Sequence, residues 1–195
     1  MFRSCRWTGL HIAETRRLWI VSARECDMPA FDAAGSDPEA QRWLGWSAAN
    51  PQPAPPGPVQ MPLRRRRGIL RPQPHRLYFA GIDRDSLHLV AAITLYQGAS
   101  GRLEIGGSVA AGHRGRGFGT EAMIAACDLV HHHFGIPAVA AGCETTNAAS
   151  VGWLRASGFV QVEGPATHRL PDGREIPSLW WIHTSARPRR RCPWI

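Results

Sequence analysis

The residues most suited to chemistry in this chain form one short run, Arg114-Gly115-Arg116-Gly117-Phe118-Gly119. They join an alternating apolar stretch that ends near Val109 to a stretch, Gly117 to about Phe134, whose apolar residues recur every three or four positions. A glycine-rich loop that opens a helix is built to hold an anion. The helix's first amides have no acceptor inside it, and the aligned peptide dipoles leave partial positive charge there. Gly115, Gly117 and Gly119 remove the side chains that would keep a phosphate away from those amides. Arg114 and Arg116 add charge of the right sign. The dipole alone contributes about 0.3–1 kcal/mol at an exposed site, so hydrogen bonds from the amides must supply most of the specificity.

Two familiar phosphate loops do not fit. A Walker loop requires a lysine after its last glycine, and this chain contains none. A dinucleotide fold has its glycines spaced Gly-x-Gly-x-x-Gly early in a β-α-β unit, with an acid about 20 residues on. Here the spacing is Gly115-x-Gly117-x-Gly119, and the loop follows three candidate strands.

The elements that must position this loop can be read from periodicity. Leu18 to Ser22 reads as a first strand. Asp27 caps a helix through Phe31 and Ala34, and Ser36-Asp37-Pro38-Glu39 opens another that runs to about Trp46. His75 to Ile82 is a strand. Leu87, Leu89, Ala91, Ile93 and Leu95 alternate through the next, with Val90 and Ala92 on its other face. Arg102 to Val109 completes an antiparallel meander. After the helix come a buried strand at 138–143, a helix from Asn147 to a left-handed cap at Gly158, and strands at 159–162 and 176–184. The order predicts an α/β fold, a mixed and mostly antiparallel sheet flanked by helices. Its domain is read as 16–184, after an N-terminal extension at 1–15 and before a basic tail at 185–195. Eight prolines between Asn50 and Pro74 argue against regular structure at 50–74.

With these motifs in place the chain resembles the Gcn5-related N-acetyltransferases. Their cofactor loop reads Gln/Arg-x-x-Gly-x-Gly/Ala, matched by Arg114 to Gly119 and continued by Thr120-Glu121-Ala122. Asn147-Ala148-Ala149-Ser150, then Leu154 and Gly158-Phe159, is similar to the signature of the branch that includes ribosomal-protein alanine N-acetyltransferases, as is Asp37-Pro38-Glu39 with Trp43-Leu44-Gly45. The resemblance covers about residues 16–184. It implies that acetyl-CoA is the co-substrate and a primary amine the acceptor, a protein N-terminus or a small molecule. It also implies that the coenzyme lies between the strand at 102–109 and the strand at 138–143. Its pantetheine would bond like an added strand to Gly107, Ser108 and Val109, whose amides would polarise the thioester carbonyl. The pyrophosphate would lie on Arg114 to Thr120, and Asn147 would bond the pantetheine arm.

Two further roles follow. The attacking amine must be neutral, so a base must take its proton. Glu104, on the strand before the loop, is the first candidate, and the loop residue His168 the second. Where many relatives protonate the leaving thiolate from a Tyr, this chain has Leu154, which leaves Ser150 as the candidate acid. Asn147 as a plain helix cap and Ser150 as a first-turn serine bonding the backbone are the competing structural readings.

Composition bounds the rest. The 195 residues carry a formal charge of +8, with all 23 basic residues Arg. The charge clusters in Arg64-Arg65-Arg66-Arg67 and Arg187-Pro188-Arg189-Arg190-Arg191, and the first run has no aromatic neighbours, which speaks against single-stranded nucleic acid. Five scattered cysteines form no zinc or disulfide pattern, and His131-His132-His133, adjacent on a helix, point in different directions, so no metal is expected. No apolar run approaches the roughly 20 residues of a membrane span, and residues 1–6 carry no secretion signal, which makes the cytoplasm the expected location. Trp43 and Trp46 could line an acceptor pocket or simply pack. A monomer or homodimer is expected. A non-catalytic acyl-CoA-binding module stands as the alternative to the enzyme, and a nucleic-acid-binding protein as a third reading.

Overall fold

β-Branched and aromatic runs of period two become strands here, and the three- and four-residue apolar spacings become helices. The computed structural model describes residues 2–4, 11–23, 27–45, 76–98 and 101–189. Outside them lie the Pro-rich segment 50–74 with its Arg64–Arg67 run, the end of the basic tail, Trp7, Trp46, Trp194, Cys5, Cys26 and Cys192. The elements are β1 (Phe2–Ser4), β2 (His11–Glu14), β3 (Leu18–Ser22), α1 (Met28–Ala34), α2 (Pro38–Leu44), β4 (Arg76–Asp83), β5 (Leu89–Gln97) and β6 (Leu103–Val109). A 3-10 turn at Ala111–His113 leads to α3 (Phe118–His132), β7 (Ala138–Glu144), α4 (Ala148–Ala156), β8 (Val160–Val162), β9 (Thr167–Arg169) and β10 (Glu175–Thr184).

All strands of the described residues join one sheet in the order β1-β2-β3-β4-β5-β6-β7-β10-β8, with β9 paired to β10. Every pairing is antiparallel except β6 with β7, which is parallel and bridged at a single register point, Glu104 opposite Ala140. The expected meander of β4, β5 and β6 is present, with one register shift between β4 and β5 at Gly81/Ile82. Residues 2–4 and 11–14, read from sequence as part of an extension, instead form β1 and β2 and lengthen the sheet beyond β3.

Helix α3 covers one face. Its Ala122, Met123, Ala126, Leu129 and Val130 pack with Leu18, Ile20, Phe79, Ile93, Leu95 and Ile105 in the main core. Phe31 of α1 covers the other face with Tyr78, Ala80 and Ala92. β5 is therefore buried on both sides, as its sequence predicts. Its alternation is broken, however. Gly81 pairs with Ala91 but Ile82 with Leu89, so Val90 is an extra residue, a bulge. Because strand side chains alternate with period two, one inserted residue reverses the face of everything before it. Val90 joins Ala91 and Ile93 in the main core, and Leu89 packs against the opposite cluster. Leu87, read as part of this strand, lies in the preceding turn at φ +62° and is exposed.

The ends of α2 and α4 follow their local chemistry, whereas the Asp27 side chain makes no capping hydrogen bond to α1. Asp37 caps α2 by accepting from the Ala40 amide at 3.2 Å, Pro38 fills the first turn, and Gly45 ends it in the left-handed region. Gly158, at φ +87°, turns the chain after α4. No helix among the described residues is long and apolar enough to cross a membrane.

Candidate active site

Beyond the Glu104–Ala140 bridge, β6 and β7 share no further ladder pair among the described residues. Gly106 to Val109 therefore keep ladder partners on β5 but not on β7, which opens a wedge inside the sheet. Gly107 lies opposite Ile93, Ser108 opposite Ala92 and Val109 opposite Ala91. A Cβ at Gly107 would come within 2.0 Å of the Ala92 carbonyl oxygen, so the close approach of β5 and β6 requires glycine there.

The loop after β6 has the geometry of an anion nest. Gly115 and Gly117 adopt φ +70° and +77°, in the left-handed region that glycine enters without strain. The following amides, Phe118, Gly119 and Thr120, are those of the first turn of α3 and have no acceptor one turn earlier within the helix. Alternating left- and right-handed backbone turns successive N–H groups toward one point. The Phe118 ring is buried, so its contribution to such a site is its amide. Gly119 lies close to Val109 and Trp153, whose indole Nε1–H is buried and has no partner among the described residues.

Of the two loop arginines read as phosphate contacts, Arg114 is engaged elsewhere. Its guanidinium meets Asp37 at 2.6 Å and Glu39 at 2.9 Å, and its Nε donates to the Val109 carbonyl at 3.0 Å. The hydrogen bond from Arg114 is the main reason the Asp37 carboxyl is held below its ordinary range. The side chain of Arg114 thus ties the loop to the start of α2 rather than facing an anion. Arg116 stays exposed, with its guanidinium 5.2 Å from the centroid of the Phe118 ring.

Glu104 is buried at the apex of the wedge, where sequence offered only the choice between a base and a solvent-facing acid. Its Oε2 accepts a hydrogen bond from the Tyr96 hydroxyl at 2.9 Å, across the β5–β6 pair. Burial raises its pKa above the ordinary value, and the Tyr96 bond pulls the other way without cancelling the effect. Gly98 makes room for the carboxylate: a Cβ there would lie 1.8 Å from Oε1. Only the strand register places Tyr96 and Gly98 beside Glu104, so alternation along β6 points to neither as its neighbour.

Asn147 is buried and caps α4, accepting from the Ser150 amide at 3.0 Å. Ser150 is half-buried in the first turn. No hydrogen bond among the described residues joins Ser150 to Glu104. Leu154, at the position where relatives carry Tyr, is buried in the main core. His168, on β9, is half-buried and bonds the buried Ser178 hydroxyl. Burial lowers its pKa, opposed by the charge of Glu144. Ser178 lies opposite Glu144, so this group sits at the open end of β7. The β9–β10 hairpin also touches α2: Arg174 donates to the Arg42 carbonyl at 2.8 Å, and Gly45 packs against Leu170. Trp43, under the Arg42 guanidinium at 4.5 Å, belongs to that contact region.

The triple histidine is structural in its surroundings. His131 bonds His183 at 2.8 Å, His133 bonds His11 at 2.9 Å, and no metal-holding cluster occurs among the described residues. Cys127 and Cys143 are buried free thiols, and burial pushes Cys127 up to about 12, which leaves it unreactive.

The family model for the acetyltransferase (GNAT) domain matches residues 17–160. No curated protein sequence matches the chain. Among solved structures the chain is similar to a GNAT-family acetyltransferase from Bacillus anthracis, at 18% identity over 89% of this chain and 98% of that one, TM-score 0.59. It is similar to an acetyltransferase from Agrobacterium tumefaciens, at 17% identity over 89% and 94%, TM-score 0.61. A ribosomal-protein alanine acetyltransferase from Vibrio fischeri aligns at 14% identity over 90% and 97%, TM-score 0.58. At these identities the structural likeness speaks for the fold, which is the one expected from the sequence.

Proposed function

The chain belongs to the acetyltransferase (GNAT) domain family, and from that premise we propose that it moves the acetyl group of acetyl-CoA onto a primary amine, with Glu104 as the base. The observation that carries this reading is the wedge. A single parallel bridge at Glu104 leaves the following residues of β6 without a second neighbour, next to a loop with two left-handed glycines.

The residues present fit the coenzyme. The nest at Gly115 to Thr120 suits linked phosphates, and the Trp153 Nε1–H beside Gly119, without a partner among the described residues, offers a further buried donor. The open edge at Gly107, Ser108 and Val109 suits an extended amide-bearing chain. Acetyl-CoA, when bound, supplies a thioester whose acyl carbon the amine attacks. As the new C–N bond forms and the C–S bond breaks, the amine proton would pass to Glu104, directly or through water, and Ser150 would give a proton to the departing sulfur, regaining one from solvent as Glu104 releases its own to solvent. The raised pKa of Glu104 makes it a stronger base than an exposed carboxylate, because a more basic carboxylate holds the proton better. Asn147 holds the start of α4 and bonds the pantetheine arm. Arg114 contributes through the loop backbone and through its hold on α2, and Arg116 through its charge. The acceptor would approach from the side formed by α2, Trp43 and the His168 hairpin.

The test is release of free thiol from acetyl-CoA over a panel of small amines and N-terminal peptides. Turnover is expected with at least one class. It should be abolished by Gly117→Glu, which puts a carboxylate in the phosphate nest, and be less reduced by Gly117→Asn, which tolerates the left-handed backbone and carries no charge. Full turnover by Gly117→Glu contradicts the loop assignment. Coenzyme binding without turnover on any amine favours the non-catalytic module, the reading that the buried Leu154 in place of a Tyr keeps open.

A further inference from the structure

Three arginines surround the loop, and they are not equivalent. Arg114 is neutralised by two carboxylates, and Arg116 projects from the loop itself. Arg17 comes from elsewhere, the turn between β2 and β3, and reaches the loop from the side. Its Nη1 donates to the Arg116 carbonyl at 2.9 Å and its Nε to Glu121 Oε2 at 2.7 Å. Its guanidinium carbon lies 4.3 Å from the centroid of the Phe118 ring. Glu121 in turn accepts from the Thr15 hydroxyl at 2.6 Å and from the Arg17 amide at 2.8 Å. Burial alone would raise Glu121, but these bonds and the Arg17 charge outweigh it, and the carboxyl is held ionised below its ordinary value.

Nη2 of Arg17 has no partner among the described residues. It lies 3.4 Å from the place a Cβ on Gly117 would occupy. A cation held at two of its nitrogens, with the third presented to a bare glycine in an anion nest, has the arrangement of a preorganised phosphate ligand. Little side-chain freedom remains to be lost on binding, and a guanidinium bonded to phosphate makes a charge-assisted contact. Glu121 gives Arg17 a second purpose. A carboxylate in the first turn of α3 would repel an anion at the same helix end, and Arg17 neutralises it.

We infer that Arg17 is a phosphate-binding residue of the coenzyme site, contributing Nη2 to an anion held over Gly117, with Thr15 and Glu121 fixing its position. This rests on the reading that the loop holds the phosphates of coenzyme A. The chemistry it recognises is a phosphate dianion or diester, which in the coenzyme comes from the pyrophosphate or from the ribose 3′-phosphate.

The test is calorimetric titration of the wild-type chain, Arg17→Gln and the double variant Arg17→Gln/Glu121→Gln with coenzyme A and with 3′-dephospho-coenzyme A. Arg17→Gln should weaken coenzyme A binding by about tenfold or more. Equal weakening for both ligands assigns Arg17 to the pyrophosphate, and weakening for coenzyme A alone assigns it to the 3′-phosphate. The double variant should stay weakened. Recovery of wild-type affinity in it would mean that Arg17 only masks Glu121, and would overturn the contact. Turnover of acetyl-pantetheine, which has no phosphate, should be unchanged in Arg17→Gln. An equal loss with this substrate would mean a merely structural role. Should Arg17→Gln not fold, peptide-mapped phenylglyoxal labelling of the wild-type chain replaces it: coenzyme A should protect Arg17, and labelling unaffected by the ligand would refute the proposal. Absence of coenzyme binding by the wild-type chain would count against the transferase reading itself, a separate outcome from wild-type affinity in Arg17→Gln.

Discussion

Glu104 lies between two opposing influences, and the base role proposed for it depends on their balance. Burial disfavours the carboxylate, and the Tyr96 hydroxyl stabilises it. Only the ionised form accepts a proton, so activity should fall as pH drops through the raised pKa of this group. Glu104→Gln should lower kcat by about 10²–10⁴-fold. In Tyr96→Phe the stabilising bond is gone, the pKa rises further, and the acidic limb of kcat/KM should move to higher pH. A limb that stays in place or moves down in a pH–rate profile would disprove this pairing. Gly98→Ala tests the same site sterically. With a Cβ 1.8 Å from Oε1 the carboxylate must leave its position, so kcat should fall about tenfold or more while acetyl-CoA affinity measured by calorimetry stays near wild type. Alternation and family resemblance were enough to select Glu104 from the sequence. Its hydrogen-bond donor was not legible, because Tyr96 lies eight positions away and only the hairpin register sets the two opposite one another.

At the level of elements, the strand that carries Glu104 depends on how closely it approaches its neighbour. Gly107 was selected for its backbone, as a place where a ligand could bond, and the β5 side gives a second reason for glycine. Gly107→Ala places a methyl 2.0 Å from the Ala92 carbonyl oxygen, backbone that cannot rotate away. The variant should lose about 2–4 kcal/mol of stability in urea denaturation, with coenzyme binding lost alongside. Wild-type stability would show that β5 and β6 can separate freely. Helices α2, α3 and α4 were legible to within about two residues, since capping residues and apolar spacing are local signals. The face assignment in β5 was not. A bulge at Val90 arises from how two strands meet, and nothing in the residues 87 to 95 alone distinguishes it from unbroken alternation. The short strands β1, β2 and β9 were missed for a similar reason: three or four residues carry too little pattern, and pairing partners far along the chain define them.

Across the whole molecule, the end of α3 far from the loop is fastened by two histidine pairs, His11 with His133 and His131 with His183. Each bond needs one ring nitrogen to donate and the other to accept, so protonating both members breaks it. Burial lowers His11 to about 4 and also lowers His131 and His183. Near neutral pH the His11 ring is neutral in the folded chain, and burial favours the neutral form of His131 and His183 as well, while the unfolded chain takes up protons near 6.5. Stability is therefore full above pH 6.5 and declines as pH falls from there toward 4, by about 3 kcal/mol from His11 alone. Urea midpoints measured between pH 7.5 and 4.5 should follow this slope, and His11→Asn should flatten it. A pH-independent midpoint in the wild-type chain would contradict it. At this same scale, the single bridge between β6 and β7 has a wider consequence. The seam lies in the middle of a continuous sheet and not between two lobes, so no hinge is needed to receive the coenzyme. On the proposed reading, an occupant zips the seam shut as a temporary neighbour, and leaving means unzipping it bond by bond. Product departure would then be governed by the fraying of a ladder, and the substrate would serve for part of each cycle as a piece of the protein's own architecture.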